Sequence, residues 1–229
     1  MLENATRTSY TWLMVLPNNH DSQGRRPMPQ LPLPGDLGLS LLRGRVHELC
    51  GPARVVLAAL ALAQSSGPVV WVSPGWLPER PYPPGLRDLC DPARIIFARA
   101  RRPEDLLWAM EEALRSGAAP VVLADLPAPP ALTPVRRLHL AAEAGAEAAH
   151  HRGRIAPIGL ILTPEQGGAQ GVESRWHMAA SPSGSTLLEH RSAWAMRRLR
   201  ARMAPEAAFR LTRDAKGRII GEALPITTT

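Results

Sequence analysis

Between residues 45 and 163, short apolar runs alternate with stretches of helical periodicity. Polar and apolar positions alternate from Arg45 to Leu49, which predicts a strand. A turn at Gly51-Pro52 follows, and then a helix whose apolar run, Val55 to Ala63, is unbroken. Pro68 to Ser73 (PVVWVS) is near-continuously apolar, the pattern of a strand buried on both faces of a parallel sheet. Arg94 to Ala100 (RIIFARA), Pro120 to Leu126 (PVVLADL) and Ile155 to Thr163 (IAPIGLILT) supply three more strands. The best-marked helix opens at Pro103, carries Glu104 and Asp105 in its first turn and Arg115 in its last, and stops at Gly117. Leu106, Leu107, Met110, Ala113 and Leu114 make its apolar face. Thr133 is the expected N-cap, with Pro134 opening, of a further helix that carries Arg136, Arg137 and His139.

From Gly167 onward the pattern changes. Ser174 to Ala180 and Phe209 to Glu222 read as antiparallel strands, the second folded back at Asp214 to Gly217. Between them, Ala193 to Met203 (AWAMRRLRARM) fits a basic helix or a strand, and its periodicity does not choose. The expected fold is therefore α/β: a parallel sheet flanked by helices, with antiparallel C-terminal strands. Residues 1–38, dense in proline and polar residues, are expected to be a flexible arm. Residues 39–165 are then the core and 166–229 a C-terminal antiparallel, basic extension. Within the arm, Gln30-Leu31-Pro32-Leu33-Pro34 faintly resembles the Q-L-x-L-F peptides that dock on the bacterial sliding clamp. It lacks their terminal aromatic, and a linker is the expected role. The loop PGWLPERPYPPG presents Trp76, Leu77 and Tyr82, which are expected to cover the edge of the core rather than to face a partner.

Composition narrows the function classes. The chain has 229 residues, 45% of them hydrophobic, and reads as globular. Its net charge of +7 allows attraction to nucleic acid or an acidic partner, and equally a basic surface that binds neither. All of the 27 basic residues but Lys216 are arginine. Cys50 and Cys90 are too few for a disulfide framework or a zinc site, and are expected to be thiols in a reducing cytoplasm. No apolar run approaches the ~20 residues of a membrane span.

Strand, glycine turn and apolar helix from Arg45 to Ala63 are the grammar of a phosphate-binding loop. Such a loop needs G-x-x-x-x-G-K-[ST], because its backbone N–H groups wrap the phosphates, its lysine meets the outer ones and its hydroxyl holds magnesium. After Gly51 comes PARVVLAALALA, with no second glycine, lysine, serine or threonine. Lys216, the one lysine, lies in a C-terminal hairpin.

These segments resemble a family. RGRVHELCGP is similar to the first strand and phosphate-loop start of RecA. EEALRSGAAPVVLADLPAPPALTP is similar to its E-A-L-x-R-S-G…V-V-D-S…A-L-T-P stretch, and RARMAPEAAF to a basic strand followed by A-P-F. The mixture RGRVHEL, YPPGL, DPARIIFARARRPEDLLWAMEEALRSG, RRLHLAAEAG and RWHMAASPS resembles the ImuA family, RecA-related proteins of bacterial mutagenesis cassettes, some of them called SulA-like. The likeness covers about residues 40 to 182 well and is most specific from Asp91 to Gly117.

The resemblance implies a RecA-like fold and tests the site residue by residue. The phosphate-loop lysine and threonine have no counterpart after Gly51-Pro52. Ser73, Pro74 and Gly75 stand where the catalytic glutamate belongs, with Glu79 out of register. The acid ending the fourth strand survives as Asp125, and the nucleotide-sensing polar residue only as Thr163-Pro164. One acid does not make an active site, so Gly51, Pro52 and Asp125 are expected to be a degenerate nucleotide site with no cofactor, and Asp125 a turn-capping carboxylate. RecA's long DNA-gripping loop is reduced to Pro164 to Gly171, without a basic residue. DNA contact, if made, moves to Arg197, Arg198, Arg200 and Arg202, with Trp194 for stacking. The other reading docks the same residues on an acidic partner, with Trp194 as an interface anchor. The implied function is a non-catalytic, cytoplasmic adaptor in SOS-induced translesion synthesis. Its implied partner is ImuB, an inactive Y-family polymerase relative, with RecA and the cassette's error-prone replicative-type polymerase within reach. The alternatives are a SulA-like division inhibitor and a RecA-class DNA-dependent ATPase.

Overall fold

The computed structural model describes residues 29–79, 81–182 and 192–225. Its centre is β3 (Val46–Cys50), every residue of which is buried. Around it run α1 (Arg54–Ala63), β4 (Val69–Pro74), the short α2 (Pro83–Leu86), β5 (Ile95–Ala100), α3 (Pro103–Ser116), β6 (Val121–Asp125), α4 (Leu132–His151) and β7 (Ile158–Thr163). Strands β8 (Ser174–Ala180), β9 (Ala193–Ala201), β10 (Ala207–Arg213) and β11 (Ile219–Leu224) follow. They form one nine-stranded sheet in the order β11-β10-β9-β8-β3-β7-β6-β4-β5. Pairing is parallel from β8 to β5 and antiparallel from β8 to β11. This is the expected α/β fold, and β9 settles the ambiguous basic segment as a strand.

Two cores lie on opposite faces of the sheet. Leu49, Trp71, Leu123, Leu160 and Leu162 point toward α1. Val46, Val72, Val122, Ala124 and Ile161 point toward α3 and α4. A helix as apolar as α1 needs cover on more than its sheet side. The cover comes from a segment read in the sequence as arm. β1 (Gln30–Pro32) and β2 (Ser40–Leu42) form a two-stranded antiparallel sheet, and Leu31, Leu33 and Leu41 are buried in the α1 core. The expected boundary at 38 is thus corrected for residues 29–38, which are folded. The sliding-clamp likeness goes with it, because Leu31 is 0% and Leu33 4% exposed. The remainder of the expected arm, 1–28, lies outside the described residues.

α3 behaves as its sequence predicts, with Gly117 in the left-handed region (φ 61°) at its end. It packs tightly on α4: a Cβ on Gly145 would lie 1.9 Å from the Leu114 carbonyl oxygen. α4 itself begins earlier than expected. Its N-cap is Ala131, without a side-chain cap, so Thr133 sits inside the first turn. Among the described residues no helix is long and apolar enough to cross a membrane.

Candidate functional site

β3, β7 and β6 are parallel neighbours ending in Cys50, Thr163 and Asp125. Gly51, Pro52 and Asp125 therefore share one end of the sheet, as the resemblance implies. Gly51 has φ +92°, and a Cβ there would come within 2.5 Å of the Met178 carbonyl oxygen and 2.7 Å of His177 Nε2. The Ala53 N–H donates to the same Met178 oxygen at 3.0 Å. A backbone donor that a phosphate loop would aim at an anion is thus spent on β8.

In front of Asp125 stands Arg54, the first residue of α1, with Nη2 3.8 Å from Oδ1. This ion pair stands where a turn-capping role was expected of Asp125. Burial raises the Asp125 carboxyl above its ordinary value, Arg54 opposes the shift and Glu79 adds to it. The Cys50 thiol is pushed up to about 12, first by burial and then by Glu48, so it supplies no thiolate. Among the described residues, no group of three or more His, Cys, Asp or Glu side chains is gathered to hold a metal.

Sequence reasoning missed the buried polar centre beside this turn. Glu48 is fully buried. It accepts from Thr163 Oγ1 at 2.7 Å, Gly168 N at 2.9 Å and Ala169 N at 3.1 Å, and pairs with Arg175 Nε. A Cβ on Gly167 would lie 2.6 Å from Glu48 Oε1. The loop after β7 is accordingly pinned to the sheet by its own backbone. A charged residue in a strand whose neighbours are buried was the available signal, since such a charge must be paired. His47 is satisfied in the same way: Ser174 Oγ–H donates to Nδ1 (2.7 Å) and Nε2–H to the Leu42 carbonyl (2.9 Å). The Trp176 indole N–H donates to Ser174 Oγ at 2.8 Å.

The strand divides the C-terminal candidates. Trp194 is only 8% exposed and packs in the α1-side core with Met196 and Leu211. It is a core residue, which corrects its reading as a stacking or anchoring group. Arg198 lies 5.5 Å from the ring centroid of buried Trp176 and donates to the Pro205 carbonyl at 2.8 Å. It is packed rather than offered. Arg197 lies opposite His177 and Arg200 opposite Arg175, with a bulge between the two pairs. Directly opposed residues share a face, so the bulge brings Arg197 and Arg200, three apart, to the side away from Trp194. There both are exposed. Arg202 continues the series at the rim of a cleft of about 480 Å³ that is also lined by Arg45, Arg136, His139, Glu143 and Glu173. Glu173 lies 3.8 Å from Arg202 and 3.9 Å from Arg45. Glu143 pairs with Arg45. Cationic groups outnumber the carboxylates.

No protein-family model matches the chain, and no curated protein matches it. Among solved structures, the chain is similar to SulA from Pseudomonas aeruginosa at 18% identity and a TM-score of 0.40. That similarity covers 52% of this chain and 98% of the SulA chain.

Proposed function

We propose that this chain is a non-catalytic, RecA-like adaptor in error-prone translesion synthesis after DNA damage, and that it binds an ImuB-like inactive relative of the Y-family polymerases. One observation carries the reading. The position of the phosphate loop is filled by the protein itself, with Gly51 seated on β8 and Arg54 facing Asp125. A nucleotide cradle needs free N–H groups and a lysine, and a chain that has lost both keeps the fold as a platform. The exposed arginines of β9 and the basic cleft beside α4 suit an acidic partner surface, and DNA, RecA and the error-prone polymerase lie within reach of the same complex.

The test is co-purification of the ImuB-like partner with a chain carrying Arg197→Glu, Arg200→Glu and Arg202→Glu. All three side chains are exposed, so the variant keeps its melting temperature. Binding is expected to fall by about tenfold or more. Undiminished binding contradicts the assignment of this face to the partner.

A further inference from the structure

β5 is the last strand of the sheet, and among the described residues nothing pairs with its outer side. Its register with β4 runs unbroken from Ile95 to Ala100. Natural edge strands are usually blunted by proline, a bulge, charged side chains, short length or covering structure, and of these β5 has a single charge, Arg99. β5 has six residues, no proline and no bulge, and carries Ile96 at 59% and Phe97 at 40% exposure. The loop that adjoins its end adds Trp76 at 42%. The Gly75 N–H donates to the Ala100 carbonyl at 2.7 Å and Arg99 Nη2 to the Gly75 carbonyl at 2.6 Å, which fastens the Trp76 loop to the end of β5. The expectation that these bulky loop residues cover the core therefore fails for Trp76, Leu77 and Tyr82, all of them exposed, and Trp76 stands beside the open edge.

We propose that the outer edge of β5 docks an extended segment of a partner protein in which apolar and acidic residues alternate, as an added strand. An open edge supplies a row of N–H and C=O groups for main-chain pairing, and the side chains around it supply selectivity. The apolar half of the partner's pattern meets the face of the strand that carries Ile96. The acidic half meets Arg99, Arg101 and Arg102, all exposed at the C-terminal end of the strand. A second copy of this chain is the poorer occupant, because its β5 carries no acidic residue to meet the arginines of the first. The edge lies at the far side of the sheet from β9, so the inference stands independently of the adaptor role.

Fluorescence anisotropy of the full chain tests this, with a short labelled peptide of alternating valine and glutamate and a valine–lysine peptide as its control. The valine–glutamate peptide is expected to bind saturably and the control at least about tenfold more weakly. Ile96→Lys, at an exposed position, should abolish binding without lowering the melting temperature. Arg101→Glu with Arg102→Glu touches only exposed loop residues, and should reverse the preference between the two peptides. Equal binding of both peptides, or binding indifferent to both variants, overturns the proposal. Self-association of the chain that Ile96→Lys abolishes also overturns it, by giving the edge to a second copy.

Discussion

His47 is held neutral by its surroundings. Burial lowers its pKa to about 4 from 6.5, its bond to the Leu42 carbonyl opposes the shift, and His139 adds to it. Between those two values the unfolded chain takes up a proton that the folded chain refuses. Stability is therefore complete above pH 6.5 and is lost as pH falls toward about 4, by on the order of 3 kcal/mol. Urea unfolding from about pH 7 to about pH 5 checks this: the midpoint should drop, and a His47→Gln chain should lack most of that slope. Trp194 makes the other residue-scale prediction. Trp194→Ala empties a buried indole site and should cost about 3–5 kcal/mol in a thermal melt. An interface residue would have left the melt unchanged. Asp125→Asn should do little, because an ion pair at 3.8 Å between side chains about a quarter exposed contributes roughly 0–1 kcal/mol.

At the scale of elements, α1 and the loop after β7 depend on unlike forces. α1 rests on apolar burial, with Leu57 to Leu62 all buried. Ala59→Pro removes a hydrogen bond and clashes in that interior, and should unfold the chain by ~3 kcal/mol or more; an unaltered melt contradicts it. The loop rests on Glu48. Arg175→Ala leaves a fully buried carboxylate short of its cation and should cost about 3–5 kcal/mol. Hydrogen exchange at Gly168 and Ala169 should rise in that variant, since their N–H groups depend on the same carboxylate. Strands β4, β6 and β7 were legible because both of their faces are buried, which writes a continuous apolar run. β1 was hidden by its prolines, although Leu31 and Leu33 keep a period of two. A two-stranded edge tolerates proline where a central strand does not. β9 was ambiguous because the bulge interrupts its alternation where the arginines begin.

For the whole molecule, the departure from a phosphate-loop motif was legible as an absence: no lysine, no second glycine and no threonine in the stretch after Gly51. What fills the absence was not legible. The contacts of Gly51 and Ala53 with Met178 join residues more than a hundred positions apart, and Arg54 reaches Asp125 across β7. Sequence spacing carries no trace of either. Simple alternation would put Trp194 and Arg200, six apart, on one face, and the bulge that separates them leaves no mark in the spacing. With Gly51 seated on β8 and Arg54 facing Asp125, this end of the sheet is expected to take no nucleotide. Titration calorimetry of the full chain with ATP and magnesium tests it most directly. No saturable heat is expected up to about millimolar nucleotide, with or without magnesium. Magnesium-dependent binding at micromolar affinity would contradict it.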